Sequence, residues 1–121
     1  MRETTIFEKI VAGEIPCNKV LDNDDFLAFH DINPKAPIHI LIIPKVHVKN
    51  FHEVNPDIMA KMTTFIQEVA SLMGLDKNGY RLITNNGDDG GQEVHHLHFH
   101  LLGGAKLTWP HLADADPKSA F

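Results

Sequence analysis

Gln92-Glu93-Val94-His95-His96-Leu97-His98-Phe99-His100-Leu101-Leu102-Gly103-Gly104 carries histidines at 96, 98 and 100, every second position, with apolar residues between them. On an extended strand the side chains of residues i, i+2 and i+4 point to one face. His96, His98 and His100 therefore form a row with about 6.5–7 Å between successive Cα atoms, while Leu97, Phe99 and Leu101 face a core. A lone histidine on such a face reads as a hydrogen-bonded core residue. Three on one face point to chemistry. Aligned imidazoles can bind a metal, or serve phosphoryl transfer and acid–base steps near neutral pH.

Just upstream lies Asn86-Gly87-Asp88-Asp89-Gly90-Gly91. Glycines let a backbone approach a ligand closely, and the exposed N–H groups of such turns suit anionic oxygens. By itself the segment is a tight strand connection, and it lacks the Gly-Lys-[Ser/Thr] ending of a Walker loop. Beside three histidines it reads as a phosphate-binding turn. Glu93 follows it, and strict strand alternation puts Glu93 on the face opposite the triad unless the Gly90-Gly91 turn shifts the register.

Further upstream the elements come in sequence. Thr5-Ile6-Phe7-Glu8 fits a capping box, with Ile6, Phe7, Ile10 and Val11 continuing one helical stripe and Gly13 as its stop. Lys19–Leu21 and Phe26–His30 read as strands about a turn at 22–25. Ile38-His39-Ile40-Leu41-Ile42-Ile43 reads as a central strand halted by Pro44. Asn55-Pro56 opens a helix whose stripe runs from Ile58 to Met73 and ends at Gly74. The methionines in that stripe are core filler. Tyr80–Asn85 reads as a strand before the glycine turn. This order implies an α+β domain with a mostly antiparallel sheet. His39, mid-strand, is a fourth candidate histidine. His47 and His52 fall in a connection and read as solvated. His95 has the opposite parity to the triad, His30 suits either a structural or a pocket role, and His111 lies in the tail.

Composition bounds the function. At 121 residues the chain is long enough for one domain with a single core, taken as 3–110 with a loosely specified tail at 111–121. No apolar run approaches the roughly 18–20 residues that span a bilayer, and the N-terminus lacks a secretory pattern. The formal net charge of −5 argues against binding a nucleic-acid polymer, which relies on clustered Lys and Arg, but not against a single nucleotide. One cysteine, Cys17, fits a reducing, cytoplasmic setting and a structural role.

Three segments together resemble the histidine-triad superfamily: Pro37 to Lys45, Asn85 to Gln92 and His96 to Gly104. The branch most similar is the histidine-triad nucleotide-binding proteins, which hydrolyse purine nucleoside phosphoramidates. Thr5-Ile6-Phe7, Gly13-Glu14-Ile15-Pro16, Ala28-Phe29-His30-Asp31-Ile32 and Trp109-Pro110 support it. The resemblance implies a five-stranded, mostly antiparallel sheet with two helices, continued across a homodimer, and no cofactor or metal. It further implies His98 as nucleophile toward the α-phosphorus, His100 on the phosphoryl oxygens, His96 orienting His98, and His39 in a proton relay. Asp31 would hold the ribose, with Phe7, Ile10, Ile15, Phe29 and Ile32 lining the base pocket. Asn85, Gly91, Gln92 and Glu93 would lie beside the phosphate. The partner implied is a purine nucleotide conjugate of AMP or GMP. The chain departs from well-known animal members at Glu93, where they have serine, and from many members at His95, where they have tyrosine.

A neutral imidazole attacks phosphorus well, and its N–P adduct is labile, so two easy steps replace one hard one. An amine leaves poorly until protonated, which suits a site rich in groups that titrate near pH 6.5. The rival from another class is a metal-binding module using His96, His98 and His100. A nucleotide-binding regulatory partner and, within the superfamily, a dinucleoside polyphosphate hydrolase or nucleotidyltransferase are further readings. Leu102-Gly103-Gly104 and Trp109-Pro110 favour the phosphoramidase branch.

Overall fold

The computed structural model describes residues 2–114 and Lys118; the rest of the tail lies outside the described residues. Helix α1, Ile6–Val11, is followed by strands β1, Lys19–Asp22, β2, Phe26–His30, and β3, Ile38–Pro44. A short 3-10 turn at Phe51–Glu53 precedes helix α2, Pro56–Leu72, and strands β4, Arg81–Ile83, and β5, Phe99–Gly103, complete the fold. The strands make one antiparallel sheet in the order β1-β2-β3-β5-β4. This is the α+β arrangement of a five-stranded sheet and two helices. No described helix is long and apolar enough to cross a membrane.

Both helices begin where the local chemistry dictates. Thr5 caps α1 through its hydroxyl, which accepts from the Glu8 backbone N–H at 3.1 Å, while the Glu8 carboxylate accepts from the Thr5 N–H at 2.9 Å. Asn55 caps α2 by accepting from the Asp57 N–H, and Pro56 occupies the first helical position without loss of a hydrogen bond.

The sheet sorts its side chains by parity. On one face Phe26, Ala28, Ile40, Ile42, Phe99 and Leu101 pack on Met62, Phe65, Ile66 and Val69 of α2. On the other, Leu27, Phe29, Leu41 and Ile43 pack on Phe7 of α1. His39 of β3 and His100 of β5 take the parity of the α1 face, where they oppose Leu102 and Leu41 across the ladder. A β-sheet period of two thus places polar chemistry on one side and the larger core on the other.

The histidine segment differs from its expected form. β5 starts only at Phe99, so His100 is its sole triad member, and His96 and His98 lie in a bent segment before it. The Leu97 N–H donates to the Val48 carbonyl at 2.6 Å, outside the strand ladder. The alternation of apolar and histidine residues continues across that bend, which is why the pattern alone does not mark it.

Candidate active site

His98, His100 and His39 line one cavity of about 480 Å³ with Phe7, Asp31, Asn85, Gly91 and Glu93. That volume suits a small-molecule ligand. Asn33, Lys35, Leu41, Ile83, Val94 and Leu102 complete the lining. None of these six was expected from the sequence, and Leu41, Ile83 and Leu102 belong here through sheet pairing, a tertiary fact. The other residues expected at the site are placed elsewhere. Phe29 is buried in the core beneath α1, Ile10 packs at its edge, Ile15 is half-buried, and Ile32 is 93% exposed. His96 is fully buried behind the cavity, and Gln92 is buried in the glycine turn.

Gln92 braces that turn. Its Oε1 accepts from the Gly87 N–H, and its Nε2 donates to the carbonyls of Lys49 and Val94. Gly91 has φ +81°, a backbone shape that favours glycine. Glu93 lines the cavity together with His98 and His100 because residues 93–98 form no regular strand, so parity does not govern it. His47 corrects another expectation: half-buried, its Nε2 donates to the His95 carbonyl at 2.8 Å and its ring meets that of His96 edge-on.

Hydrogen bonding fixes the tautomers. A carbonyl only accepts, so His98 Nδ1, at 2.7 Å from the His96 carbonyl, must donate. Neutral His98 therefore has its lone pair on Nε2. A backbone N–H only donates, so His39 Nδ1 accepts from Lys35 at 3.0 Å and His39 carries its proton on Nε2. That proton faces His100 Nδ1 at 2.9 Å, with Asp31 Oδ2 at 3.4 Å as a second acceptor. Neutral His100 thus accepts at Nδ1 and has its N–H at Nε2. The constellation contains one lone pair and one N–H on adjacent imidazoles whose ring centroids lie 5.2 Å apart.

Burial holds all these rings neutral. The pKa values of His39, His96 and His98 are lowered, chiefly because burial penalises the charged form. His100 is lowered from 6.5 to about 4, by burial first and then by His98 and His39. Protonating His100 at Nδ1 would also set two N–H groups against each other.

An unfolded chain binds these protons near pH 6.5 and the folded one resists them, so stability is full above that pH and falls as pH drops. For His100 the loss runs from pH 6.5 to about 4 and amounts to about 3 kcal/mol. Thermal melts should therefore show a lower midpoint at about pH 5 than at about pH 7.5. An unchanged midpoint would contradict neutral, buried imidazoles.

The triad rings are not arranged as a common ligand set. Among the described residues the donor atoms that converge within 4.8 Å are those of Glu8, His47 and His96, and of Asp31, His39 and His100. In both groups histidine nitrogens already hydrogen-bond protein groups.

This geometry agrees with what the chain is similar to. A model of the HIT domain matches residues 12–107. The chain belongs to the HIT domain family. It is 54% identical over 101 residues to an uncharacterised HIT-like protein of Helicobacter pylori, covering 84% of this chain and 97% of that one. Among solved HIT structures, a HIT family hydrolase from Legionella pneumophila superposes with a TM-score of 0.84 at 45% identity, covering 88% of this chain and 98% of the other. A histidine triad nucleotide-binding protein from Candida albicans superposes at 0.77 with 34% identity, covering 93% and 87%. The HIT domain here thus carries the site just described on a fold shared with solved relatives.

Proposed function

We propose that this HIT protein hydrolyses the P–N bond of purine nucleoside 5′-phosphoramidates through a nucleotidyl adduct on His98. The observation that carries the reading is the tautomer of His98. Its Nδ1–H is held by the His96 carbonyl, leaving Nε2 with a lone pair in a ring that lines the cavity. His98 Nε2 attacks the α-phosphorus and the P–N bond to the amine breaks, the amine nitrogen taking a proton from solvent that the water of the second step gives back. Water then cleaves the Nε2–P bond, releasing nucleoside monophosphate and neutral His98. The His100 Nε2–H is a donor for the charge that gathers on the phosphoryl oxygens, and His39 holds His100 in the tautomer that presents it.

The nucleotide ligand draws support from the Candida albicans relative, whose name describes nucleotide binding. Hydrolysis draws support from the Legionella pneumophila relative, a HIT family hydrolase. Asp31 lines the cavity with one carboxylate oxygen bonded to the Asn33 N–H and the other near His39, a fitting place for ribose hydroxyls. A homodimer is part of the same reading. The short strand β4 leaves one sheet edge open, and Leu72, Tyr80 and Leu82 are exposed hydrophobics on or beside α2 and β4.

The deciding experiment is incubation with adenosine 5′-phosphoramidate, with and without a strong chelator, following AMP. AMP release at an equal rate in both is expected, since imidazoles supply the nucleophile and the hydrogen bonds. Activity lost with the metal would favour the metal module, and AMP binding without turnover would favour a regulatory partner.

A further inference from the structure

Thr5 does more than cap a helix. Its hydroxyl oxygen accepts from the Glu8 N–H, and the same oxygen lies 3.3 Å from His96 Nδ1. On the other side of that ring, His96 Nε2 lies 2.8 Å from the Pro44 carbonyl and must donate to it. Neutral His96 then has only a lone pair at Nδ1, and the one proton of the Thr5 hydroxyl is the group that fills it. His96 is 0% exposed, so without that proton its Nδ1 would be a buried acceptor lacking a partner.

The consequence reaches His98 through one peptide group. The His96 carbonyl and the Leu97 N–H belong to the same plane. The N–H is anchored on the Val48 carbonyl at 2.6 Å, and the carbonyl accepts from His98 Nδ1 at 2.7 Å. Pinning the His96 ring at both nitrogens fixes the residue that bears this carbonyl. Phe7, two residues after Thr5, packs edge-on against both rings, with centroids 5.8 Å from His96 and 4.9 Å from His98. Helix α1 therefore grips the pair of histidines twice, through a hydroxyl and through an aromatic ring.

We propose that Thr5 is a positioning residue for the reaction: its hydroxyl proton fills the His96 Nδ1 lone pair that the Pro44 carbonyl leaves, which holds the ring in place and, through the His96 carbonyl, fixes the aim of His98 Nε2. This rests on the phosphoramidase reading for its effect on rate, though not for its effect on His96. It also explains the residue type. Ser, Thr, Asp and Asn all serve as N-caps, and an ionised Asp accepts as Thr5 does but has no proton to give.

That difference separates the two roles. Thr5→Asp keeps the cap and removes the donor, Thr5→Val removes both, and Thr5→Ser restores both. Melting temperature, steady-state kinetics with adenosine 5′-phosphoramidate, and ¹⁵N signals of the His96 ring in histidine-labelled protein read the outcome. Thr5→Asp should melt close to wild type, yet lose about tenfold or more in kcat with little change in KM. Its His96 Nδ1 signal should move from the unprotonated to the protonated position. Thr5→Ser should recover the wild-type rate and signals. Thr5→Asp with wild-type kcat and unchanged His96 signals would overturn the proposal, leaving Thr5 a cap alone. Should wild type release no AMP, the phosphoramidase reading falls, while the His96 signals still decide whether the Thr5 hydroxyl proton fills Nδ1 and keeps the ring neutral.

Discussion

His98→Ala is expected to lower turnover of adenosine 5′-phosphoramidate by about four orders of magnitude or more, the scale seen when a covalent nucleophile is removed. The substitution deletes the cavity ring whose Nδ1–H is held by the His96 carbonyl and whose Nε2 keeps a lone pair for attack. His100 cannot replace it, because its Nδ1 faces His39 and its Nε2 carries the proton. AMP binding should survive, since Asp31, Asn85 and Gly91 of the cavity lining are untouched. Rapid-quench mass spectrometry should find a nucleotidyl adduct on wild type and none on the variant. Turnover by His98→Ala within about a hundredfold of wild type would remove His98 from the nucleophile's role.

Gly90→Ala should be the most damaging single methyl group in the site loop. A Cβ at Gly90 would stand 2.5 Å from the Asn86 carbonyl oxygen and 2.9 Å from the Asn86 nitrogen, both backbone atoms that cannot rotate aside. The turn must open, at a cost of about 1–3 kcal/mol, and it carries Asn85, Gly91 and Glu93 of the cavity wall with it. A displacement of about 1 Å in such a wall costs on the order of a hundredfold in rate. Gly103→Ala is the control. The atoms nearest to its Cβ belong to the Leu75 side chain, on the core side and outside the cavity wall, so activity should change far less. Denaturant melts and kinetics on both variants would check this. Equal activity of Gly90→Ala and wild type would mean that the turn does not form the site wall.

What could be read from the sequence was local. Thr5 with Glu8, and Asn55 with Pro56, mark helix starts because the groups they satisfy lie within one turn. Ile38–Pro44 is legible because, His39 apart, its residues are β-branched or apolar and a proline ends it. The beginning of β5 is not legible, because the bend at His96 and His98 is held by Val48 and Pro44, roughly fifty residues away. The same reason hides His47, whose partner is the His95 carbonyl. The family resemblance places Gln92 beside the phosphate, yet its amide is engaged by Gly87, Val94 and the distant Lys49, a set of partners that only the folded chain brings together. Ile32 shows the converse: the resemblance implies a place in the base pocket, and the folded chain leaves it an exposed apolar residue.

The two faces of the sheet are unequally protected. One is covered by a seventeen-residue helix and the larger core, the other by a six-residue helix resting on a smaller cluster. A helix that short does not persist on its own, so α1 depends on Thr5, Phe7 and the Arg2–Glu8 ion pair for its place. Local opening free energies within one fold range from near zero to the global value. The α1 layer is expected toward the low end, and the α2 layer toward the high end, which hydrogen exchange would check. The α2 side supplies the larger share of the core that resists heat or denaturant, whereas the α1 side holds the groups of the site. A variant of this protein can therefore keep its melting temperature and still lose its site.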